Sequence, residues 1–331
     1  MSSVSLLELN MRVGIIATGR IAGIAAETLR QMTDADCIAV ASRSMEKAEA
    51  FAQEHDIERP YGSYEELLMD KDVDLVYVAT PHSHHYDITM KALQCGKPCL
   101  VEKAFMANYK QSKAVIDLAH ENGVFVAEAI WTRYQPAVEM IRKMMERIGT
   151  LRLLTANIGY NMIARKPRLQ RPDLCGGALL DVGVYGLNFV RMFCTEKVVK
   201  IEGQCVKSDM GVDISEVITL SLENDILATI QSSAWATCSN RGVITGTEGF
   251  IVVDNINNPQ TISLYAPDRT LITEQQVPAQ LTGYEYEFSE CRKALEANLI
   301  ESPLMPHDET LYIMQQMDGL RQQWGVSYPM D

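Results

Sequence analysis

Residues 14–22 read Gly-Ile-Ile-Ala-Thr-Gly-Arg-Ile-Ala, and the fold of the N-terminal part of the chain is predicted from this segment. It joins an apolar run at 13–17, a predicted strand, to a predicted amphipathic helix at 21–32. Gly19 and Ala22 fit the second and third small positions of a GxGxxG/A phosphate turn, while Ala17 replaces the first glycine. Such a turn leaves backbone N–H groups free to bind a diphosphate. We predict a dinucleotide-binding turn, formed by Ala17, Thr18, Gly19, Arg20 and Ile21; the alternative is a strand-helix turn without a ligand.

Alternation of apolar strands and helices continues from this turn to residue 128. Further strands are predicted at 37–41, 75–79, 99–102 and 124–127, with helices at 45–55, 88–94 and 109–122 between them. This order predicts an α/β domain, a Rossmann-type doubly wound parallel sheet that binds NAD(P). We assign residues 1–128 to it, with 1–10 as a flexible extension.

After residue 128 strands follow strands. Two-residue periodicity marks 151–160, 198–206, 214–222, 226–234 and 249–253, and the main helix among them is predicted at 180–193. This pattern predicts an α+β domain over 129–331, with a large, mostly antiparallel open sheet that binds substrate and forms a homodimer.

Composition excludes several classes of protein. Hydrophobic residues make up 47% and charged residues 22% of the 331 residues, as in a globular protein, and the net charge of -13 disfavours nucleic acid as a partner. No apolar run reaches the roughly 20 residues of a membrane span, so we expect no membrane partner. Eight scattered cysteines without a CxxC pair predict reduced thiols and a cytoplasmic location.

The end of the second predicted strand bears on the cofactor. NAD enzymes usually carry an acidic residue there for the ribose hydroxyls. This chain has Ser42 and Arg43 instead, a hydroxyl and a guanidinium that suit a 2'-phosphate. We predict NADP as the cofactor, with NAD as the alternative. The alternative for Arg43 is a solvated arginine that does not contact the cofactor.

Four further segments carry a family resemblance. They are Thr-Pro-His-Ser-His-His at 80–85, Val-Glu-Lys-Ala at 101–104, Glu-Ala-Ile-Trp-Thr-Arg-Tyr at 128–134, and Gly-Gly-Ala-Leu-Leu-Asp-Val-Gly-Val-Tyr at 176–185. In this order, after the glycine turn, they resemble the Gfo/Idh/MocA family of NAD(P)-dependent oxidoreductases, and specifically its dihydrodiol and xylose dehydrogenase branch. The resemblance covers nearly the whole chain.

The resemblance implies roles for residues at strand ends and on the helix of the second domain. Lys103 would exchange a proton with the substrate hydroxyl, while Asp181 and Tyr185, four residues apart on one helix face, would orient it and relay its proton. Asp181 and Tyr185 could instead be a capping acid and a packed aromatic, and Lys103 a surface lysine. The residues predicted to contact the cofactor here are Thr80, Pro81, His82, His85, Glu102 and Lys103, with His85 at the nicotinamide ribose.

One position departs from the family pattern. The family has proline after the lysine, and this chain has Ala104. A cis bond before a residue other than proline costs about 2.5–4 kcal/mol, so alanine would rarely keep a cis bond if the family's loop has one.

Three residues are predicted to line the substrate pocket: Trp131, Arg133 and Tyr160. Packing in the core or between domains is an equal alternative for them. The histidines at 82, 84 and 85 lack a carboxylate or cysteine at matching spacing, so we predict no metal site.

These observations predict an NADP-dependent oxidoreductase. It would transfer a hydride between nicotinamide and the carbinol or carbonyl of a small sugar, polyol or trans-diol. An NAD-dependent aldose or inositol dehydrogenase of the same family is the first alternative. A non-catalytic regulatory protein that senses the cofactor is the second.

Overall fold

The structure is a computed structural model that describes residues 10–331. Of the predicted flexible extension, residues 1–9 lie outside the described residues, and Asn10 donates a hydrogen bond to Asp36 (2.8 Å). The described residues form two compact units. The first contains the residues up to Trp131 and Gln280–Leu311, and the second contains Thr132–Ala279 and Tyr312–Asp331.

A six-stranded parallel sheet builds the first unit, in the order β3-β2-β1-β4-β5-β6. This is the strand order of a dinucleotide-binding fold, in which β1 and β4 flank the point where the winding direction reverses. The elements are β1 (Met11–Ile16), α1 (Arg20–Gln31), β2 (Ala35–Ala41), α2 (Met45–His55), β3 (Arg59–Tyr61), α3 (Tyr64–Met69), β4 (Leu75–Val78), α4 (His82–Gln94), β5 (Cys99–Glu102), α5 (Tyr109–Asn122) and β6 (Val126–Ala129).

Strands β4, β5 and β6 are buried along their whole length, and β4 is apolar throughout, as in a parallel sheet that is covered on both faces. A later segment completes this core: Phe288 of helix α8 (Glu285–Glu296) is fully buried and packs edge-on against Tyr77 of β4, with ring centroids 5.4 Å apart. Our prediction places Gln280–Leu311 in the second domain, whereas these residues pack with the first unit. The domain boundary near residue 128 stays a prediction.

An eight-stranded sheet builds the second unit, in the order β14-β13-β12-β11-β7-β10-β9-β8. All its pairs are antiparallel except β7 with β10. Its elements are α6 (Ala137–Met145), β7 (Leu151–Gly159), α7 (Val184–Phe193), β8 (Val198–Lys207), β9 (Asp213–Leu222), β10 (Ile226–Ser233), β11 (Gly242–Gly246), β12 (Gly249–Val253), β13 (Thr261–Tyr265) and β14 (Leu271–Gln276); α9 (His307–Trp324) follows α8 later in the chain.

Strand alternation gives this sheet two different faces. Leu154, Ile218 and Ile230 point to the buried face, where α7 packs, whereas Leu153 and Leu227 are about half exposed on the other. The predicted fold class, a Rossmann sheet followed by an α+β domain with a mostly antiparallel sheet, is confirmed.

Several local predictions were wrong. Helix α4 begins at His82 rather than at 88, because Pro81 is its N-cap and the chain turns at once into the helix. Strands β3, β11, β13 and β14 were not predicted. β3 is three residues long with a central proline, which suits an edge strand, and β14 is a polar, exposed strand at one edge of the eight-stranded sheet.

Of the helices in residues 10–331, none combines the length and apolar character that crossing a bilayer requires.

Candidate functional site

The turn after β1 has the geometry that a diphosphate needs. Gly19 is the N-cap of α1, and no side chain caps this helix, so the first N–H groups of α1 are open. A Cβ at Gly19 would meet no other atom of the described chain within 4 Å. Thr18, Gly19 and Arg20 line one end of a cleft of about 440 Å³. An anion can therefore approach the helix N-terminus, where the helix dipole favours it.

Ala17 departs from glycine in sequence but adopts glycine's conformation. Its φ is +94°, in the region that side chains disfavour. Its N–H donates to the Ala41 carbonyl (2.9 Å), which fixes the turn against the end of β2. The small-residue turn is thus formed with an alanine at its first position.

The end of β2 presents the predicted cationic group. Ser42 is buried, and Arg43 is exposed. Arg43 donates a hydrogen bond to the Tyr64 hydroxyl, while burial and the nearby charge of Arg43 lower the pKa of His84. A guanidinium, an imidazole and two hydroxyl groups therefore gather beside the nucleotide turn, a donor set that fits a phosphate.

Lys103 follows β5 and is half-buried. Its backbone is fixed on both sides: its N–H donates to the Glu102 carboxylate (3.2 Å), and its carbonyl lies 3.2 Å from His82 Nε2. His85 is fully buried, with Nδ1 3.1 and 3.0 Å from the carbonyl oxygens of Ala104 and Phe105 and Nε2 2.9 Å from the Thr80 carbonyl. His82 and His85 thus hold the segment that carries Lys103, and a contact of His85 with the nicotinamide ribose stays a prediction.

The peptide bond between Lys103 and Ala104 is cis. Our expectation that alanine would rarely keep a cis bond is therefore wrong here. Ala104 is fully buried, and its carbonyl oxygen faces His85 at 3.1 Å, so its surroundings fix the loop without a proline ring.

A buried carboxyl pair lies behind Lys103. Glu102 accepts a hydrogen bond from the Tyr77 hydroxyl, and Glu287 of α8 is fully buried near it. Burial, and then the charge of Glu102, raise the pKa of Glu287 well above its usual value. The raised pKa of Glu287 favours its protonated form beside Glu102, whose carboxylate accepts from the Lys103 N–H.

Four adjacent strands bring the predicted cofactor residues to one edge. Ser42 and Arg43 follow β2, Ala17 follows β1, and Lys103 follows β5. Thr80 and Pro81 follow β4, and the Thr80 hydroxyl is buried without a hydrogen-bond partner in residues 10–331. Such an orphaned hydroxyl, together with the open end of α1, fits a bound dinucleotide at the carboxyl edge of the sheet.

The second unit holds Asp181 and Tyr185 on adjoining helical turns. Asp181 lies in a π-helical turn, Leu179–Gly183, that leads into α7, where Tyr185 lies. Both are buried, and Asp181 accepts a hydrogen bond from Arg168 (2.8 Å) and has Lys166 at 3.5 Å. Sequence reasoning missed both cations, although the basic run at 165–171 was a signal.

A second buried carboxyl pair, Asp213 and Glu216, lies against this turn. Asp213 accepts a hydrogen bond from the Leu179 N–H (2.6 Å), and Glu216 accepts one from the Ser232 hydroxyl. Burial, and then the charge of Asp213, raise the pKa of Glu216 well above its usual value. Burial also raises the pKa of Asp213, so each carboxyl disfavours ionisation of the other.

Glycines permit this close packing. Gly177 has a φ of +129°, and a Cβ there would lie 2.6 Å from the Asp213 carboxylate. A Cβ at Gly183 would lie 2.7 Å from the Glu216 carboxyl. Gly177 and Gly183 therefore let the turn lie directly against the two acids.

The predicted pocket residues have local partners. Trp131 stacks on Tyr284, with centroids 4.3 Å apart and rings 2° from parallel. Arg133 Nε donates to the Asn188 side chain (2.7 Å), and the Tyr160 hydroxyl accepts from Asn257 (3.1 Å). Tyr160 packs on the cluster of Ala178 and Val182, beside Asp181. Substrate contact by these three residues stays a prediction.

Comparison with known proteins identifies the family of the chain. Residues 11–130 match the model described as "Oxidoreductase family, NAD-binding Rossmann fold", and residues 135–252 match the GFO/IDH/MocA C-terminal domain. The trans-1,2-dihydrobenzene-1,2-diol dehydrogenase of Danio rerio is 35% identical, over 97% of this chain and 99% of that protein. The same enzyme of Xenopus laevis is 36% identical, over 96% and 98%.

Solved structures share the fold. A 3-ketoreductase from Actinomadura kijaniata, KijD10, in complex with NADP and TDP-benzene, superposes with a TM-score of 0.85 at 22% identity, covering 95% of this chain and 98% of its own. An aldose-aldose oxidoreductase from Caulobacter crescentus, complexed with glycerol, also gives 0.85, at 21% identity and 96% and 98% coverage. The two matching family models and the full-length relatives establish that this chain belongs to the Gfo/Idh/MocA family of NAD-binding Rossmann-fold oxidoreductases.

Proposed function

We propose that the protein is an NADP-dependent dehydrogenase that oxidises, or in reverse forms, a carbinol of a small sugar, polyol or diol. The observation that carries the proposal is the position of Lys103. It stands at the end of β5, on the sheet edge where the turn at Gly19 follows β1. The names of the full-length relatives support the diol class, and the name of the aldose-aldose oxidoreductase supports the sugar class.

The bound nicotinamide would accept or donate the hydride. Lys103 would take the proton of the substrate hydroxyl, or return it to the carbonyl oxygen in reverse. Asp181 and Tyr185 would orient that hydroxyl, since both belong to one short helical segment fixed from below by Asp213. Glu102, His82 and His85 would hold the Lys103 segment in place.

Substitution of Lys103 tests the catalytic role. Lys103→Ala should lower kcat by about 100-fold or more, the usual contribution of a general acid-base group, with NADPH affinity changed less than threefold. Lys97, which donates to the carbonyls of Asp70 and Val73, offers a control lysine away from the nucleotide turn. Full turnover by Lys103→Ala with diols and sugars would remove the lysine from the mechanism.

Arg43 underlies the proposed preference for NADP. Loss of a charge-assisted bond to the 2'-phosphate should weaken NADP binding about 10-fold or more in Arg43→Ala and leave NAD binding nearly unchanged. Lys47, an exposed cation nearby on α2, is the matched control. Equal NADP affinity of Arg43→Ala and the wild type, in a fluorescence titration, would contradict this preference.

We also propose that two copies associate through the outer face of the eight-stranded sheet. Leu153 pairs with Leu227 on that face, and both are about half exposed, at 46% and 51%. Phe250 and Tyr265 stack nearby at 4.9 Å. Leu227→Arg should convert a dimer to a monomer in light scattering, whereas a monomeric wild type at micromolar concentration would reject the dimer.

A cytoplasmic location is part of the proposal. The eight cysteines, all within residues 10–331, form no disulfide, as is usual in a reducing compartment.

A further inference from the structure

The segment 326–331 follows α9 and packs against the turn that leads to Asp181. Tyr328 is only 4% exposed, and its hydroxyl donates a hydrogen bond to the Gly176 carbonyl (2.6 Å). Burial, and then the charge of Asp213, raise the pKa of the Tyr328 hydroxyl well above its usual value, so it keeps the proton that it donates. This hydrogen bond joins residues that lie 152 positions apart in the sequence.

Charged contacts fix the position of Tyr328. The guanidinium of Arg321, in the last turn of α9, lies 4.5 Å from the centroid of the Tyr328 ring. Arg321 also pairs with Asp331 (2.8 Å) and with Asp318 (2.7 Å). The Asp331 carboxylate in turn accepts a hydrogen bond from the Tyr328 N–H (2.7 Å). The hydroxyl therefore reaches Gly176 from a side chain whose backbone and ring are both held in place.

Gly176 connects the two segments that meet at Asp181. Its N–H donates to the Arg171 carbonyl (2.9 Å), and a Cβ on it would lie 2.6 Å from the Arg168 carbonyl oxygen. Three residues after Gly176, the π-helical turn that carries Asp181 begins. The Arg168 side chain, from the basic run at 165–171, donates to Asp181 (2.8 Å). The position of Gly176 therefore affects how this basic run meets the turn of Asp181.

Building on the proposed dehydrogenase function, we propose that Tyr328 is a positioning residue for the substrate hydroxyl, acting through Gly176 on Asp181. The Gly176 carbonyl is buried, so loss of the Tyr328 hydroxyl would cost free energy unless the peptide moved toward another donor. Such a movement would change the angle at which Asp181 meets the hydroxyl, and misplaced orienting groups lower kcat.

Removal of one oxygen atom tests this role. We measure kcat with NADP on D-xylose, glycerol and trans-1,2-dihydrobenzene-1,2-diol. Tyr328→Phe should lower kcat about 5-fold or more on the substrate that the wild type turns over best, with NADPH affinity changed less than twofold.

The matched control is Tyr312→Phe, in α9. The Tyr312 hydroxyl accepts a hydrogen bond from the Val198 N–H (3.2 Å), and the guanidinium of Arg191 lies 4.6 Å from the centroid of its ring. This control likewise loses a hydroxyl that binds the backbone and keeps a ring beneath a cation. Because its partner lies in β8 rather than in the Asp181 turn, its kcat should equal that of the wild type.

Two further measurements separate positioning from a general loss of stability. Hydrogen exchange, followed by mass spectrometry, should become faster in the peptide that spans 176–183 in Tyr328→Phe, but not in Tyr312→Phe. In an Asp181→Asn background, Tyr328→Phe should lower kcat less than twofold further, because the group that it positions is already altered. A purely structural role would give the same loss in both backgrounds.

The outcomes distinguish this inference from the function on which it rests. Unchanged kcat in Tyr328→Phe, or a lower kcat without faster exchange at 176–183, would overturn the inference and leave the dehydrogenase assignment standing. Equal losses in Tyr328→Phe and Tyr312→Phe, or equal losses with and without Asp181, would also overturn it. Faster exchange at 176–183 without turnover of any substrate by the wild type would support the effect of Tyr328 on the turn and remove the proposed dehydrogenase function.

Discussion

Ala17 offers a direct test of the turn geometry. Its φ of +94° costs a residue with a side chain about 1–2 kcal/mol, a cost that glycine does not have. Glycine loses more conformational freedom on folding, about 0.5–1 kcal/mol. Ala17→Gly should therefore increase the free energy of unfolding by about 0.5–1 kcal/mol.

Urea unfolding at 25 °C, without cofactor, measures this difference. The matched control is Ala50→Gly, because Ala50 is exposed within helix α2, where glycine costs about 1 kcal/mol. The same chemical change should thus stabilise the protein at one position and destabilise it at the other. A loss of stability in both variants would refute the positive-φ explanation for Ala17.

Three further predictions concern the second unit. Asp213→Ala should lower kcat about 10-fold or more by freeing the turn that carries Asp181, while Asp213→Asn, whose amide oxygen can still accept from the backbone, should retain most activity; equal kcat losses would contradict this role. Because burial raises the pKa of Glu216 above its usual 4.5, the folded state keeps a proton that the unfolded state releases, so wild-type stability should fall as pH rises above that value. Glu216→Gln should lose this slope, which reaches about 1.4 kcal/mol per pH unit, and parallel urea curves from pH 4 to 7 would contradict it. A Cβ at Gly186 would lie 2.4 Å from Ile230 Cγ2, so Gly186→Ala should destabilise by about 1–3 kcal/mol, and a thermal melt of the double variant with Ile230→Ala should show less than additive loss.

The sequence predicted the parts of the site that follow strand ends. In a parallel sheet the carboxyl ends of the strands lie on one edge, so the positions of Gly19, Arg43, Thr80 and Lys103 after four strands were enough to bring them together. The same reasoning missed β3, β11, β13 and β14, because short or polar strands lack the alternation that identifies a buried one. It also placed the start of α4 at 88 instead of His82, because the residues that follow Pro81 show no apolar periodicity.

Contacts between residues far apart in the chain were not predicted from the sequence. Glu287 lies 185 positions after Glu102 along the chain, and only folding shows that α8 brings it beneath β5. Likewise, Asp213 and Glu216 read as ordinary strand residues, yet they support the turn of Asp181.

Strand periodicity and turn chemistry are local properties, so the fold class, the turn at Gly19 and the position of Lys103 after a strand could be predicted from the sequence. Tertiary structure alone decided that Ala17 takes a positive φ, that the bond before Ala104 is cis, and that Arg168 and Lys166 pair with Asp181. These features depend on atoms brought together from distant segments, whose packing fixes the backbone and raises the pKa values of the buried Glu216 and Glu287.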